Sequence, residues 1–229
     1  MLPEFWRLVK IPDTALSCTL ITTIIEMGTK LLSIPRCSLE GNWLEVIGLE
    51  NFLISNASGL EHLDLAGFEG DDSLAATMVY MSKKLTVLDL SESRFALVTS
   101  IINELPMACT ITALDLCAIG DHTHPELGDV LHYETVRLLV DKCCQLTNLI
   151  LFGTKLCHKS IAYLCGHLTE TILRLNISKE EVRNGDIEAL AKQCPRLQYL
   201  NIWETLVSYD AIADIILGWK HTMVHLSLP

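Results

Sequence analysis

The chain has 229 residues, of which 50% are hydrophobic and 20% are charged, and its formal net charge is −11. This composition excludes a disordered chain, and the acidic balance argues against a nucleic-acid-binding surface. It suits a protein partner with a basic or mixed surface, although net negative charge also keeps a protein soluble.

The chain shows no sign of a membrane span or a signal peptide. Its longest nearly uncharged apolar stretch, Thr14 to Ile25, is shorter than the ~18–20 residues that a spanning helix needs. The segment that starts at Met1 has no apolar core of the kind that a signal peptide carries. The nine cysteines are an odd number scattered among apolar residues, which indicates reduced, buried thiols and a cytoplasmic or nuclear location.

Residues 1–59 carry only weak repeat signals, from which we predict two degenerate units, each a strand followed by a helix. The first unit is based on Trp6, Val9 and Ile11 with Leu20, Ile24 and Met27, and the second on Leu31 and Ile34 with Leu49, Phe52 and Leu53. We expect these degenerate repeats to continue into regular repeats at residues 60–229, so that the whole chain forms one continuous solenoid domain.

A short motif with apolar residues at its positions 1, 4 and 6 recurs in the regular region. Its seven copies begin at Leu60, Leu85, Ile111, Leu146, Ile172, Leu197 and Met223, with successive spacings of 25, 26, 35, 26, 25 and 26 residues. Between the copies, apolar residues recur at i, i+3, i+4 and i+7, the spacing of an amphipathic helix. One such stripe is Ile187, Leu190, Ala191 and Cys194.

A unit of one strand and one helix cannot bury its own apolar face, whereas stacked units bury it against each other. The predicted fold is therefore α/β, a leucine-rich-repeat solenoid or horseshoe with parallel strands on the concave face and helices on the convex face. A generic α/β sheet is the main alternative, but it would vary its strand motif and loop lengths far more.

Positions 3, 5 and 7 of the motif should face the open concave surface, because side chains alternate along a strand. This selects the candidate partner-binding residues Asp64, Asp89, Asp115, Asn148, Ile150, Phe152, Arg174, Asn176, Tyr199, Asn201 and Trp203. Ser178, at position 7 of its motif, is expected on the same surface.

The three aspartates of this set are predicted to form a column of like charge, whose mutual repulsion a basic ligand would relieve. The alternative is that Asp or Asn is simply common at this position of such motifs. The aromatic residues Phe152, Tyr199 and Trp203, with Ile150 beside them, would be good anchors for a partner. A tail or flanking loop of the intact protein could equally cover them.

No catalytic, metal or cofactor site is predicted. The groups Cys117, His122 and His124, and Cys157 with His158, lack the ligand spacing of a closed zinc site. The chain also lacks the glycine-rich motifs that bind phosphates. We therefore do not expect an enzyme.

Two further segments are predicted to be solvated loops. The acidic pair Glu180-Glu181 falls at a strand-to-helix turn. The unit that starts at Ile111 is about nine residues longer than its neighbours, with the excess near residues 119–128. Such a surface loop could contribute to a partner contact.

A family resemblance rests on cysteines that lie three residues before the first leucine of the strand motif. They occur in Cys143-Cys144-Gln145-Leu146 and Cys194-Pro195-Arg196-Leu197. With the unit length, and with the stretches HLTETILRLNIS from His167 and QCPRLQYLNI from Gln193, the chain resembles the F-box/leucine-rich-repeat family with cysteine-containing repeats. Phe5-Trp6-Arg7-Leu8 is similar to the tryptophan-bearing junction that follows the F-box in that family.

This resemblance implies substrate recognition for an SCF-type cullin ubiquitin ligase, in which the F-box binds a Skp adaptor and the repeats hold the protein to be ubiquitinated. No F-box precedes Trp6 in this sequence, so binding to a Skp adaptor is not expected from this sequence alone. The alternative function is a free-standing repeat scaffold or inhibitor outside ubiquitination.

Overall fold

A computed structural model describes residues 7–40, 43–56, 59–69, 72–93, 98–106, 109–118 and 131–229. Two strands precede each of the first two helices, and single strands alternate with helices thereafter. The strands are β1 Leu8–Lys10, β2 Ala15–Ser17, β3 Leu31–Ser33, β4 Ser38–Glu40, β5 His62–Asp64, β6 Val87–Asp89, β7 Ala113–Asp115, β8 Asn148–Ile150, β9 Arg174–Asn176, β10 Tyr199–Asn201 and β11 His225–Ser227. The helices are α1 Cys18–Glu26, α2 Trp43–Asn56, α3 Asp72–Met81, α4 Val98–Glu104, α5 Tyr133–Lys142, α6 His158–His167, α7 Asn184–Gln193 and α8 Tyr209–Ile216, followed by a 3-10 turn, Leu217–Trp219.

Nine of the strands in the described part of the chain form one parallel sheet in the order β1-β3-β5-β6-β7-β8-β9-β10-β11. Sequential strands of the regular repeats are neighbours, so each helix returns the chain to the same edge of the growing sheet. The register is constant: Leu63 pairs with Leu88, Leu88 with Leu114, and the row continues through Leu149, Leu175, Leu200 and Leu226.

The core lies between this leucine row and the apolar stripes of the helices. Position 4 of the motif is buried from Leu63 to Leu200, and positions 1 and 6 are buried with it. The stripe residues Ile187 and Leu190 of α7 are also fully buried. Each strand is short because only its central residue points into the core, while its two neighbours face away from the helices.

A left-handed turn follows each strand of the main sheet except β11, always at the same repeat position, three residues after position 5. The φ angles there are positive at Asp13, Arg36, Gly67, Glu92, Ala118, Gly153, Lys179 and Glu204. At Gly67 (φ 62°) a Cβ would lie 2.9 Å from Cγ of Arg36. Glycine therefore lets Arg36 lie across this position, where its guanidinium comes 3.7 Å from the Glu92 carboxylate.

In the two N-terminal units, some of the buried residues differ from those that the sequence predicted. Leu20, expected in the core, is 40% exposed, because α1 buries Cys18, Ile21, Ile24 and Ile25 instead. In the next unit Leu32 and Ile34 are the core residues and Leu31 lies on the other side of β3. The additional parallel pair formed by β2 and β4 had no sequence signal that we recognised. Trp6 lies outside the described residues.

Candidate binding surface on the strand face

Two rows of side chains form the strand face, which we define as motif positions 3 and 5 on the side of the main sheet away from the helices. The position-3 row runs His62, Val87, Ala113, Asn148, Arg174, Tyr199 and His225. The position-5 row runs Asp64, Asp89, Asp115, Ile150, Asn176, Asn201 and Ser227. These residues are exposed or half-buried, whereas the leucines between them are buried in all but the last strand.

Asp64, Asp89 and Asp115 lie side by side on consecutive strands. In each, Oδ1 accepts the backbone N–H two residues later, at 3.0, 2.9 and 2.8 Å respectively. This Asx turn shapes the bend after the strand. The recurrence of Asp or Asn at position 5 therefore has a structural cause, and the second oxygen of each carboxylate is left for other partners. Asp64 uses its second oxygen to accept the Ser33 hydroxyl at 2.6 Å.

Like charge and burial act on the last carboxylate of the column. Burial raises the pKa of Asp115 to about 6, the Cys117 N–H opposes this shift, and the negative charges of Asp89 and Glu92 add to it. A cation placed against this column would stabilise the ionised form of Asp115.

Asparagine replaces aspartate at position 5 in the C-terminal repeats and makes the same turn. The N–H of Ser178 donates to Oδ1 of Asn176 at 3.2 Å, and the N–H of Trp203 donates to Oδ1 of Asn201 at 3.1 Å. Because an N–H donor requires an acceptor, these bonds fix which end of each amide faces the turn. The Asx-turn pattern could have been recognised in the sequence, since the motif places Asp or Asn there in five of its seven copies.

An open groove of about 250 Å³ lies over the C-terminal strands. The Arg174 guanidinium stacks on the Tyr199 ring, with Cζ 4.3 Å from the ring centroid, and Tyr199 in turn lies 6.3 Å from the His225 ring. His225, which was not among the candidate residues, completes this row. The groove is lined by Leu149, Ile150, Arg174, Leu175, Asn176, Tyr199, Leu200, Asn201, His225 and Ser227.

A lysine lies between two of the predicted aromatic residues at the rim of the strand face. Lys179 Nζ is 5.2 Å from the Phe152 ring centroid and 5.3 Å from that of Trp203. It also lies 3.8 Å from the Glu204 carboxylate. Sequence reasoning missed Lys179 because it occupies the left-handed turn position, where the strand alternation no longer indicates direction. Trp203 remains 46% exposed.

Two residues lie deeper than the sequence suggested. Ser178 was expected on the open face, but it is buried and its hydroxyl donates to Asn176 Oδ1 at 2.6 Å. Glu180 was expected in a solvated loop, but it is only 3% exposed. Its carboxylate accepts the Thr154 and Leu156 N–H groups of the preceding repeat at 2.8 and 2.7 Å. Burial raises the pKa of Glu180 to about 7.

Among the described residues, no cluster of three His, Cys, Asp or Glu side chains is placed to hold a metal ion. His158 Nδ1 lies 3.7 Å from Asp186, whose carboxylate accepts the Arg183 N–H at the start of α7. His122, His124 and the predicted loop at residues 119–128 lie outside the described residues. No described helix has the length and apolar character needed to cross a bilayer.

Comparison with known proteins identifies the fold. No protein-family model matches the chain, and no curated protein matches it. Among solved structures it is similar to the crystal structure of an internalin from Listeria monocytogenes, a leucine-rich-repeat protein, with a TM-score of 0.52 and 13% identity over 91% of this chain. The chain spans 57% of the length of that internalin. At this identity the likeness concerns the fold alone, and it confirms the predicted α/β leucine-rich-repeat solenoid.

Proposed function

We propose that the chain is a protein-binding module without catalytic activity, which holds a segment of a partner protein against its strand face. The observation that carries this proposal is the group Arg174, Tyr199 and Trp203. Arg, Tyr and Trp are the residue types that contribute most binding energy at protein interfaces. Here Arg174 and Trp203 are exposed and Tyr199 is half-buried. Because they are held on or just beyond strands whose central leucines are buried, little conformational entropy would be lost when a partner binds.

The candidate residues at motif positions 3, 5 and 7 offer several kinds of contact to a partner. Asp64, Asp89 and Asp115 offer negative charge to a basic part of the partner. Ile150 and Phe152, on and just beyond β8, offer apolar contact beside that column. Asn148 lies next to Arg174 in the position-3 row, and Asn176 and Asn201 follow in the position-5 row. A partner with a mixed surface, basic in one part, fits this distribution.

We further propose that this binding serves substrate recognition in an SCF-type cullin ubiquitin ligase, in the cytoplasm or nucleus. The cysteine-containing repeats support the proposal. Cys143 and Cys194 are buried, and Cys194 Sγ lies 3.5 Å from the Thr169 carbonyl of the preceding repeat. The indole N–H of Trp219 donates to the Cys194 carbonyl at 2.9 Å. The cysteine thus belongs to the contact between repeats, as expected for a motif of the repeat itself.

The strand face can be tested by quantitative affinity purification from cells that express the natural protein. The Tyr199→Ala/Trp203→Ala double variant should lose partners that the wild type retains. Tyr80→Ala removes a 52% exposed tyrosine from helix α3 and is the matched control, which should retain them. Equal recovery of every partner with both variants would contradict the proposed binding surface.

The ligase role needs a separate readout. The natural protein should co-purify with a Skp adaptor and a cullin, and its strand-face partner should accumulate when the protein is depleted. Partner binding without adaptor, cullin or change in partner abundance would favour the free-standing scaffold or inhibitor.

A further inference from the structure

The groove over β9 and β10 offers hydrogen-bond donors from both of its asparagines. Oδ1 of Asn176 and Oδ1 of Asn201 each accept a backbone N–H of the turn that follows their strand. Asn176 Oδ1 also accepts the Ser178 hydroxyl. The amide nitrogens, Nδ2, make no hydrogen bond to any described residue and are the part of each side chain left for a ligand.

A guanidinium lies beside these amides. Arg174 pairs with Asn148 and Tyr199 along the position-3 row, and its guanidinium is stacked on the Tyr199 ring. It forms no ion pair with a carboxylate in the described parts of the chain. Stacking on an aromatic ring restricts the guanidinium without using its N–H groups, which remain able to bind a planar anion with two parallel hydrogen bonds.

No carboxylate lies among the described residues that line this groove. His225 Nε2 is engaged with the Ser227 hydroxyl at 2.9 Å, and Ile150 closes the other side. The groove therefore combines one cation and two amide donors with no competing negative charge. At the same repeat position in β6 and β7, Asp89 and Asp115 present acceptor oxygens instead.

We propose that this groove binds a carboxylate of the partner, with Arg174, Asn176 Nδ2 and Asn201 Nδ2 as its donors. The inference rests on the proposed protein-binding function and specifies its chemistry. The partner segment crosses the strands with a basic group against the aspartate column, an apolar residue near Ile150 and the carboxylate over β9 and β10.

The strand spacing sets the length of that segment. From β6 to β10 there are four steps in the sheet, which at about 4.8 Å per step correspond to ~19 Å. An extended peptide rises about 3.3 Å per residue, so its basic and acidic groups should lie about five to six residues apart.

Three peptide probes test the proposal with the 229-residue chain. Acetyl-Lys-Lys-Ala-Leu-Ala-Glu-amide has only a side-chain carboxylate, acetyl-Lys-Lys-Ala-Leu-Ala-Gln with a free end has only a main-chain carboxylate, and the glutamine amide has neither. NMR titration should show at least one carboxylate peptide binding about tenfold or more tightly than the neutral one. It should also shift the side-chain amide signals of Asn176 and Asn201. The carboxylate peptide that binds identifies the source of the group.

The Asn176→Asp/Asn201→Asp double variant should abolish this difference between peptides, because aspartate keeps the turn acceptor and replaces the donor by a negative charge. Arg174→Gln should also reduce it, and Tyr80→Ala, on helix α3 and outside the strand face, should preserve it. Equal binding of all three peptides to the wild type, or an unchanged difference in the folded double variant or in Arg174→Gln, would overturn the proposal.

The two proposals fail in different ways. If Tyr199→Ala/Trp203→Ala loses the cellular partner while the asparagine variant and Arg174→Gln retain it and no peptide difference is seen, only the carboxylate inference is wrong. If Tyr199→Ala/Trp203→Ala retains every partner, the proposed binding surface itself is wrong.

Discussion

Strands β5, β6 and β7 carry aspartate at position 5, whereas β9 and β10 carry asparagine there. In both regions the side-chain oxygen accepts the backbone N–H two residues later, so the turn and the strand register are the same. What differs is the second atom of each side chain, which is a carboxylate oxygen in one half and an amide nitrogen in the other. A repeat scaffold can thus keep one structural hydrogen bond and still change what its surface recognises.

The buried side-chain hydrogen bonds that link neighbouring repeats also differ between the two regions. Ser93 and Glu180 occupy the same repeat position, four residues after position 5, and both are buried. The Ser93 hydroxyl donates to the Leu65 carbonyl at 2.6 Å, whereas Glu180 accepts N–H groups from the preceding repeat. A neutral link in one half is therefore replaced by an ionisable link in the other.

The shared core gives the largest expected effect. Leu88→Ala and Leu200→Ala should each lower the free energy of unfolding by about 2–5 kcal/mol, because both leucines are fully buried in the same row. Urea unfolding monitored by circular dichroism measures the loss. Leu206→Ala, at a 65% exposed leucine, is the control and should change stability by less than about 0.5 kcal/mol. A small effect at only one of the two buried positions would mean that the halves do not share one core.

The hydrogen bonds of Glu180 and Ser93 to the preceding repeat should contribute different amounts to stability. Glu180→Ala leaves the buried Leu156 N–H without an acceptor and the Thr154 N–H with only a 3.3 Å bond to the Leu151 carbonyl, so we expect the free energy of unfolding to fall by about 2–3 kcal/mol. Ser93→Ala removes one neutral hydrogen bond and should cost about 1 kcal/mol. The neighbouring exposed Glu181→Ala is the control for Glu180→Ala. If Glu180→Ala costs no more than Glu181→Ala, the carboxylate does not hold the preceding loop.

Substitutions at position 5 can separate the shared turn from the different chemistry. Asp89→Ala and Asn201→Ala each lose the turn acceptor and should reduce stability by about 1 kcal/mol. Asp89→Asn and Asn201→Asp keep that acceptor and should stay within about 0.5 kcal/mol of wild type at neutral pH. Thermal and urea unfolding of the four variants tests this. Equal losses for alanine and the exchanged residue at either site would show that the turn bond is not the common element.

A pH dependence of stability is expected from Asp115 in the aspartate column. Burial raises the pKa of Asp115 to about 6, so the folded state holds a proton that the unfolded state releases near pH 4. This residue's contribution to stability is therefore greatest below about pH 4 and is lost as the pH rises through about 6. Asp115→Asn keeps the turn acceptor and should become more stable relative to wild type over that range, with a constant difference above about pH 7. A difference that is independent of pH from 4 to 7 would contradict the raised pKa.

Much of the fold followed from the order of apolar residues. The alternation in the seven motifs and the helical spacing between them predicted parallel strands joined by helices, because only stacked units can bury both patterns. The comparison with a solved leucine-rich-repeat structure confirms that prediction. The prediction was less accurate where the pattern is degenerate, since near Leu20 and Leu31 several apolar residues compete for the core and only packing selects Ile21 and Leu32.

Part of the candidate surface could also be predicted from the sequence pattern. Strand alternation indicated which side chains of β5 to β10 share a face, and it therefore selected the aspartates, Arg174, Tyr199 and the asparagines as candidates. Their role in binding remains a proposal. Alternation could not indicate the direction of Lys179 or Glu180, because Lys179 occupies the left-handed turn position, where the period of two ends, and Glu180 follows it. It also could not show that Ser178 is buried and that its hydroxyl donates to Asn176.

The sequence alone therefore determined the period of the repeat, the parallel order of its strands and the residues that share a face, because these depend on spacing along one chain. The tertiary structure decided which atoms of those residues remain free, because that depends on hydrogen bonds and burial between repeats. The Asx turns use one atom of each position-5 side chain, Tyr199 restricts Arg174, and the preceding loop encloses Glu180. None of these contacts is fixed by the spacing of residues in a single repeat.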